Sequence, residues 1–172
     1  MAKGKMPRDI IVMIGVDFSG KTQYVDSELI NGPHQIISFD HIREAFKTTK
    51  MSNPDIVYAS MDLIARSHMI KGIPIIIDEA NLTIESLFLW KTIAREFNYT
   101  LKGIVMNTTL EDCKARLEKA ADGAISDSIL DKLNAEYKVF EELKIILKMK
   151  HQQILDKVTF VTYNGGSNHE IL

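Results

Sequence analysis

One cysteine in 172 residues, Cys113, leaves no partner for an internal disulfide. That excludes a disulfide-stapled secreted scaffold and suits a reducing cytoplasm. On a helix, Cys113 reads as a small apolar filler. Net positive charge is also missing: the formal balance is −2. Nothing draws the whole chain onto nucleic acid or an anionic membrane, although a local basic channel stays open. No apolar run is long and uncharged enough to span a bilayer. Lys3, Lys5 and Arg8 precede an apolar run as in a signal peptide. The run is short, however, and passes into Asp17 and Lys21 without an A-x-A-type cleavage site. The histidines at 34, 41, 68, 151 and 169 lack close ligand spacing, so no zinc site is expected. Repeats, low-complexity segments and interdomain linkers are absent. The expected organisation is a flexible basic tail over 1–8, one domain over 9–163 and a flexible polar tail over 164–172. Nothing in the chain signals an oligomeric state.

What is present centres on Gly15-Val16-Asp17-Phe18-Ser19-Gly20-Lys21-Thr22. It fits the G-x-x-x-x-G-K-[ST] phosphate-binding loop, and its flanks supply the context that motif requires. Ile10 to Ile14 is an unbroken apolar run that reads as a buried strand. Gln23 to Ile30 reads as a helix that stops at Asn31-Gly32-Pro33. Backbone N–H groups between a strand and a helix N-terminus can surround a polyphosphate. Gly15, Ser19 and Gly20 shape that cradle. Lys21 would reach the β- and γ-phosphates, and the Thr22 hydroxyl would hold Mg²⁺. A glycine-containing turn that binds nothing is the bland alternative.

Strands and helices alternate along the rest of the chain. Residues 35–39 read as a second strand and 40–46 as a short helix with Asp40 as its N-cap. Thr48 to Ser52 is a polar connection. Asn53-Pro54-Asp55 opens a helix with a capping residue and proline at the first turn. Ile56, Ala59, Leu63, Ile64 and Ile70 form its apolar face. Ile73 to Asp78 is a third strand. Thr83 caps a helix carrying Leu87, Trp90, Ala94 and Phe97. Tyr99 to Met106 is a fourth strand, followed by an amphipathic helix over 109–120. After a break at Ala121-Asp122-Gly123-Ala124, a long helix runs from Ser126 to Lys150. Ile129, Leu133, Tyr137, Phe140, Leu143 and Leu147 lie on one of its faces. Lys157 to Tyr163 is the last strand. This alternation predicts an α/β domain of about five parallel strands with helices on both faces. Its ligand-bearing loops gather at the strand C-terminal ends.

Three features fall at those ends. Asp78-Glu79 closes the third strand, where a carboxylate can hold Mg²⁺ opposite Thr22. Asp78 is the first choice and Glu79 the substitute; a solvated acidic pair is the alternative. Asp40 closes the second strand as a helix cap or as a general base toward an acceptor hydroxyl. Arg43, one helical turn on, is a surface arginine or a bidentate grip on a substrate phosphate. Arg116 and Lys119 precede the break at 121–124, where a helical lid over about 116–126 could bring cations to transferring oxygens. An exposed charged helix face is the competing reading.

From Ile10 to Tyr137 the chain resembles the P-loop kinase family that includes bacteriophage-type polynucleotide 5′-hydroxyl kinase. The resemblance rests on the loop at 15–22, on Ser38-Phe39-Asp40-His41-Ile42-Arg43, on Ile75 to Leu82 and on Glu111 to Arg116. It implies an ATP- and Mg²⁺-dependent kinase with Asp40 as base and Arg43 on a substrate phosphate. The implied acceptor is a nucleotide or a single-stranded nucleic-acid end, and a phage or prophage source fits. Two positions depart from the family. Glu79 follows Asp78, with Asn81 in register on the substrate side. A second lid arginine is replaced by Ala120, leaving Lys119 to compensate. The loop is also similar to that of thymidylate kinases, in which Asp17 would contact the substrate sugar; the Asp-Arg pair those enzymes carry after the third strand is Asp78-Glu79 here.

Three functions therefore stand. The first is transfer of the γ-phosphate to a hydroxyl of a polynucleotide end, or of a hydroxylated base. The second is a deoxynucleoside monophosphate kinase, and the third is a nucleotide-binding NTPase without an acceptor.

Overall fold

The most buried strand sets the architecture. Every residue of β1, Asp9–Ile14, is buried. Its side chains alternate between two cores: Ile10, Val12 and Ile14 enter one, Ile11 and Met13 the other. A strand covered on both faces reads as an unbroken apolar run, as this one does. The computed structural model describes residues 6–46 and 53–163 and the backbone of 170–171. The expected polar connection at 48–52 and most of both expected tails lie outside those residues.

Beside β1 lie β2 (Gln35–Ser38), β3 (Ile75–Asp78), β4 (Thr100–Met106), β5 (Lys157–Thr162) and β6 (Glu170–Ile171). The sheet order is β2-β3-β1-β4-β5-β6. The first five strands are parallel, and β6 pairs antiparallel with β5, Val161 opposite Ile171. The domain is thus an α/β unit of five parallel strands flanked by helices, as expected, with a short sixth strand added at one edge.

The helices divide unevenly. Tyr24, Val25 and Leu29 of the segment after the glycine-rich loop pack on one sheet face. Against the other lie α2 (Phe39–Ala45), α3 (Pro54–Ile70), α4 (Ile84–Glu96), α5 (Leu110–Ala120) and α6 (Asp127–Ile154). The right-handed crossover rule explains this. The β1-to-β2 connection runs one way along the sheet, and the later ones run back.

Several local readings need correction. The first helix, α1, starts two residues early: Lys21–Tyr24 is α-helical and Val25–Leu29 is a π-helical turn. Gly20 at φ 95 takes the left-handed cap position, so Lys21 and Thr22 already lie in the first turn. α2 begins at Phe39, which places Asp40 inside its first turn and frees it from capping. Asn53 sits at φ 53 and makes no side-chain cap, although Pro54 does open α3. Thr83 caps α4 as expected, accepting from the Ser86 N–H at 3.2 Å.

The face of α3 also differs. Val57, Met61, Ala65 and Met69 are buried at four-residue spacing, whereas Leu63 is 67% and Ile70 72% exposed. Two apolar stripes run along this helix. The buried one carries a small residue at its centre and unbranched methionines that fill irregular space. On α6, Ile129 is exposed, and burial begins at Leu133. Cys113 is fully buried, as a filler should be.

At the base of the sheet, Asp156 accepts from the Lys91 ammonium and, at 2.7 Å, from the Leu101 N–H. Burial alone would push the Asp156 carboxyl up; Lys91 and Leu101 reverse that and hold it below the usual carboxylate value. An acid lowered on folding contributes stability that is present above its unfolded value and is lost as pH falls through its folded value. Urea denaturation should therefore show Asp156→Asn less stable than wild type at pH 7. The gap should narrow as pH falls below about 4.

Candidate active site

Residues 15–20 join the buried end of β1 to α1, whose first turn holds Lys21 and Thr22. Gly15 donates its N–H to the Ala80 carbonyl at 3.0 Å, which fastens the loop to the segment after β3. A side chain at Gly15 would bring Cβ within 2.7 Å of Ser19 Oγ and 3.1 Å of Met106 Cβ. From the β4 side, Thr108 Oγ1 donates to the Ser19 carbonyl at 2.8 Å, and the Tyr137 hydroxyl donates to the Thr108 carbonyl at 3.2 Å. The loop is thus held from three elements.

The groups inside it suit a polyphosphate. Ser19 Oγ is buried and has no hydrogen-bond partner among the described residues. A buried hydroxyl without a partner is costly unless a ligand completes it. The Lys21 ammonium lies along the loop, donating to the Gly15 and Val16 carbonyls at 2.9 and 2.8 Å. Burial lowers its pKa, opposed by Asp17, Asp78 and Glu79. The Thr22 hydroxyl donates to Asp78 Oδ2 at 2.9 Å. A hydroxyl and a carboxylate converging beside a phosphate loop are the oxygen donors Mg²⁺ takes. Burial raises the Asp78 pKa, and Asp40 and Asp26 raise it further, against Thr22 and Lys21.

Glu79 turns away from Thr22. Its carboxylate accepts from the Asn81 N–H at 2.9 Å and the Tyr58 hydroxyl at 3.2 Å. Burial raises its pKa despite those bonds. Of the two acids at the end of β3, Asp78 is the one that meets Thr22. Asn81, expected on the substrate side, is buried at φ 47 and donates to the Met13 carbonyl at 2.9 Å. It braces β1 against the β3 loop.

Asp40 and Arg43 meet on the first turns of α2, Oδ1 to Nη2 at 2.7 Å. The carboxylate is 67% exposed and the guanidinium 19%. Arg116 reaches the loop from α5, donating to the Phe18 carbonyl at 3.2 Å and the Tyr163 carbonyl at 2.7 Å. Lys119 is exposed in the last turn of α5, and among the described residues no contact brings it to the loop. Lys132 of α6 does come there, 3.2 Å from Asp17 Oδ2.

Lys132, Thr108, Tyr58 and Asp26 were missed by sequence reasoning. Only Asp26 carried a signal, its place one turn after Thr22. No group of three or more potential ligands from His, Cys, Asp and Glu converges on a metal position among the described residues. No described helix is long and apolar enough to cross a membrane.

Residues 10–143 match the family of AAA domains designated AAA_33. The chain belongs to that family. No curated protein matches it by sequence. Among solved structures, a chain of the Pnkp1/Rnl/Hen1 RNA repair complex is similar at a TM-score of 0.66 and 14% identity, over 82% of this chain and 47% of that one. A gluconokinase from Sinorhizobium meliloti 1021 gives 0.58 and 13%, over 93% and 86%. A structure of the PezAT toxin–antitoxin system of Streptococcus pneumoniae gives 0.63 and 14%, over 93% and 70%. This chain spans less than half the length of the first. The AAA_33 chain therefore has a P-loop kinase-like fold, a fold that generally binds a nucleotide with Mg²⁺.

Gly15 offers a direct check. Mg²⁺-ATP at about 100 times its dissociation constant should stabilise the wild type by about 2.7 kcal/mol. Gly15→Ala, whose Cβ would crowd Ser19 Oγ, should fold but lose most of that stabilisation in a thermal-shift measurement.

Proposed function

We propose that this chain is an ATP-dependent phosphotransferase that moves the γ-phosphate to a hydroxyl of a nucleic acid or nucleotide, with a 5′-hydroxyl polynucleotide end as preferred acceptor. The observation that carries the reading is the Asp40–Arg43 pair, set on α2 beside a loop in which Thr22 already meets Asp78.

Lys21 and the loop amides hold the β- and γ-phosphates, and Ser19 Oγ donates to them. Thr22 and Asp78 hold Mg²⁺, which when bound draws charge from the phosphate oxygens. Asp40 accepts the proton of the acceptor hydroxyl as that oxygen attacks the γ-phosphorus. The bond to the β-phosphate oxygen breaks, and ADP leaves. Arg43 positions an acceptor phosphate, and Arg116, already at the Phe18 carbonyl of the loop, faces the charge that spreads over the transferring oxygens. Lys132 supplies a second cation where the family's second lid arginine is Ala120.

A monophosphate kinase is disfavoured on two grounds. Its acceptor is already an anion and needs no base, so Asp40 would have no task. Asp17, which that reading assigns to the acceptor sugar, faces Lys132 instead.

With γ-labelled ATP and a panel of 5′-hydroxyl oligonucleotides, hydroxymethylated duplex DNA, nucleosides and monophosphates, label should pass to the 5′-hydroxyl ends. Asp40→Asn should lower turnover by about 10²–10⁴-fold while ATP binding persists. Near-wild-type turnover in that variant would remove Asp40 as the base. Label on monophosphates alone would favour the nucleotide kinase, and phosphate release without any acceptor would favour a hydrolase.

A further inference from the structure

The acceptor side of the site carries an aromatic pair that the phosphate chemistry does not use. Tyr58, in the first turns of α3, leaves 47% of its surface exposed. Its neighbours Val57 and Met61 are buried and fix that part of α3 against the core. The Tyr58 hydroxyl is tied to Glu79 Oε1 at 3.2 Å, just past the end of β3. Its ring lies against Phe39, with centroids 5.0 Å apart and planes tilted by 48°. Phe39 opens the same helix turn that carries Asp40, and the Arg43 guanidinium lies 5.8 Å over the Phe39 ring. Acid, guanidinium and two rings thus form one contiguous patch.

We infer that Tyr58, backed by Phe39, is a stacking platform for the nucleobase of the acceptor next to the hydroxyl that Asp40 deprotonates. This rests on the kinase reading above and names its acceptor class: a hydroxyl carried on a nucleoside unit rather than on a sugar acid or a peptide. Three physical points support it. A half-exposed ring held at its hydroxyl and at one edge is ordered before binding, so little freedom is lost when a second ring stacks on it. Stacking satisfies any base, because every base has a π-face. The patch also places Arg43, a cation suited to a bridging phosphate, within one helical turn of Asp40. The platform therefore requires a ring and tolerates any of the four bases.

The test uses the full chain, γ-labelled ATP and 5′-hydroxyl oligonucleotides, either with each base at the 5′ end or with an abasic 5′ residue. The abasic acceptor should show a KM raised about 10- to 100-fold over base-bearing ones, which should differ little among themselves. Tyr58→Ala should raise the acceptor KM by a similar factor, leave the KM for ATP in place and show no further loss with the abasic acceptor. Tyr58→Phe and Tyr58→Trp should each recover most of the loss.

Equal KM for abasic and base-bearing ends would overturn the platform while leaving the kinase reading intact. Equal damage from Tyr58→Phe and Tyr58→Ala would also overturn it, since Tyr58 would then act only by holding Glu79. If Tyr58→Ala melts well below the wild type, the abasic comparison decides alone, because it leaves the protein unchanged. Label on gluconate but on no oligonucleotide would overturn the kinase reading on its acceptor side, and the platform with it.

Discussion

The hydrogen bond between Thr22 and Asp78 joins residues 56 positions apart, and the site is arranged around it. It forms because β3 pairs directly with β1, Ile10 opposite Ile75 through Val12 opposite Ile77. That register ends both strands at the same height, so the first turn of α1 and the last residue of β3 face each other. The registry is itself a packing result. Slipping β3 by one residue would move Ile75 and Ile77 from one core into the other. Apolar burial along two strands thus positions two polar groups at their ends.

Around that bond, opposite charges are interleaved rather than separated. Asp17 faces Lys132, Asp40 faces Arg43, and Lys21 lies among Asp17, Asp78 and Glu79. Burial works against three of these groups, lowering Lys21 and raising Asp78 and Glu79. Under the proposed function, a polyphosphate with its cation would exchange these internal pairings for new ones. The site can therefore hold strong charges without a large net field of either sign.

The parts legible in the sequence were those whose signal is local. The loop at 15–22 and the all-buried strands announce themselves in consecutive residues, and Thr83 needs only its own helix to act as a cap. The parts that failed depend on which of several equivalent surfaces meets the rest of the chain. α3 carries two apolar stripes, and choosing Val57–Met61–Ala65–Met69 over Ile56–Leu63–Ile70 takes the shape of the sheet beneath. Asn81 looked like a site residue by position, but an inward turn at φ 47 commits it to Met13. Lys132 was invisible because its partner, Asp17, lies 115 residues away and on no common motif. Lys119 carried the motif position, but α6 brings the cation instead.

The buried Cys113 has a practical corollary. Burial pushes its thiol up to about 11, so almost none is thiolate at neutral pH, and its full burial keeps reagents from it. As the chain's one cysteine, it leaves the surface blank to maleimides and nitroxides. A cysteine introduced at Ala124, in the segment joining α5 to α6, would be the single labelled position on an otherwise native chain. Its probe would then report the mobility and surroundings of that segment without first rebuilding the core.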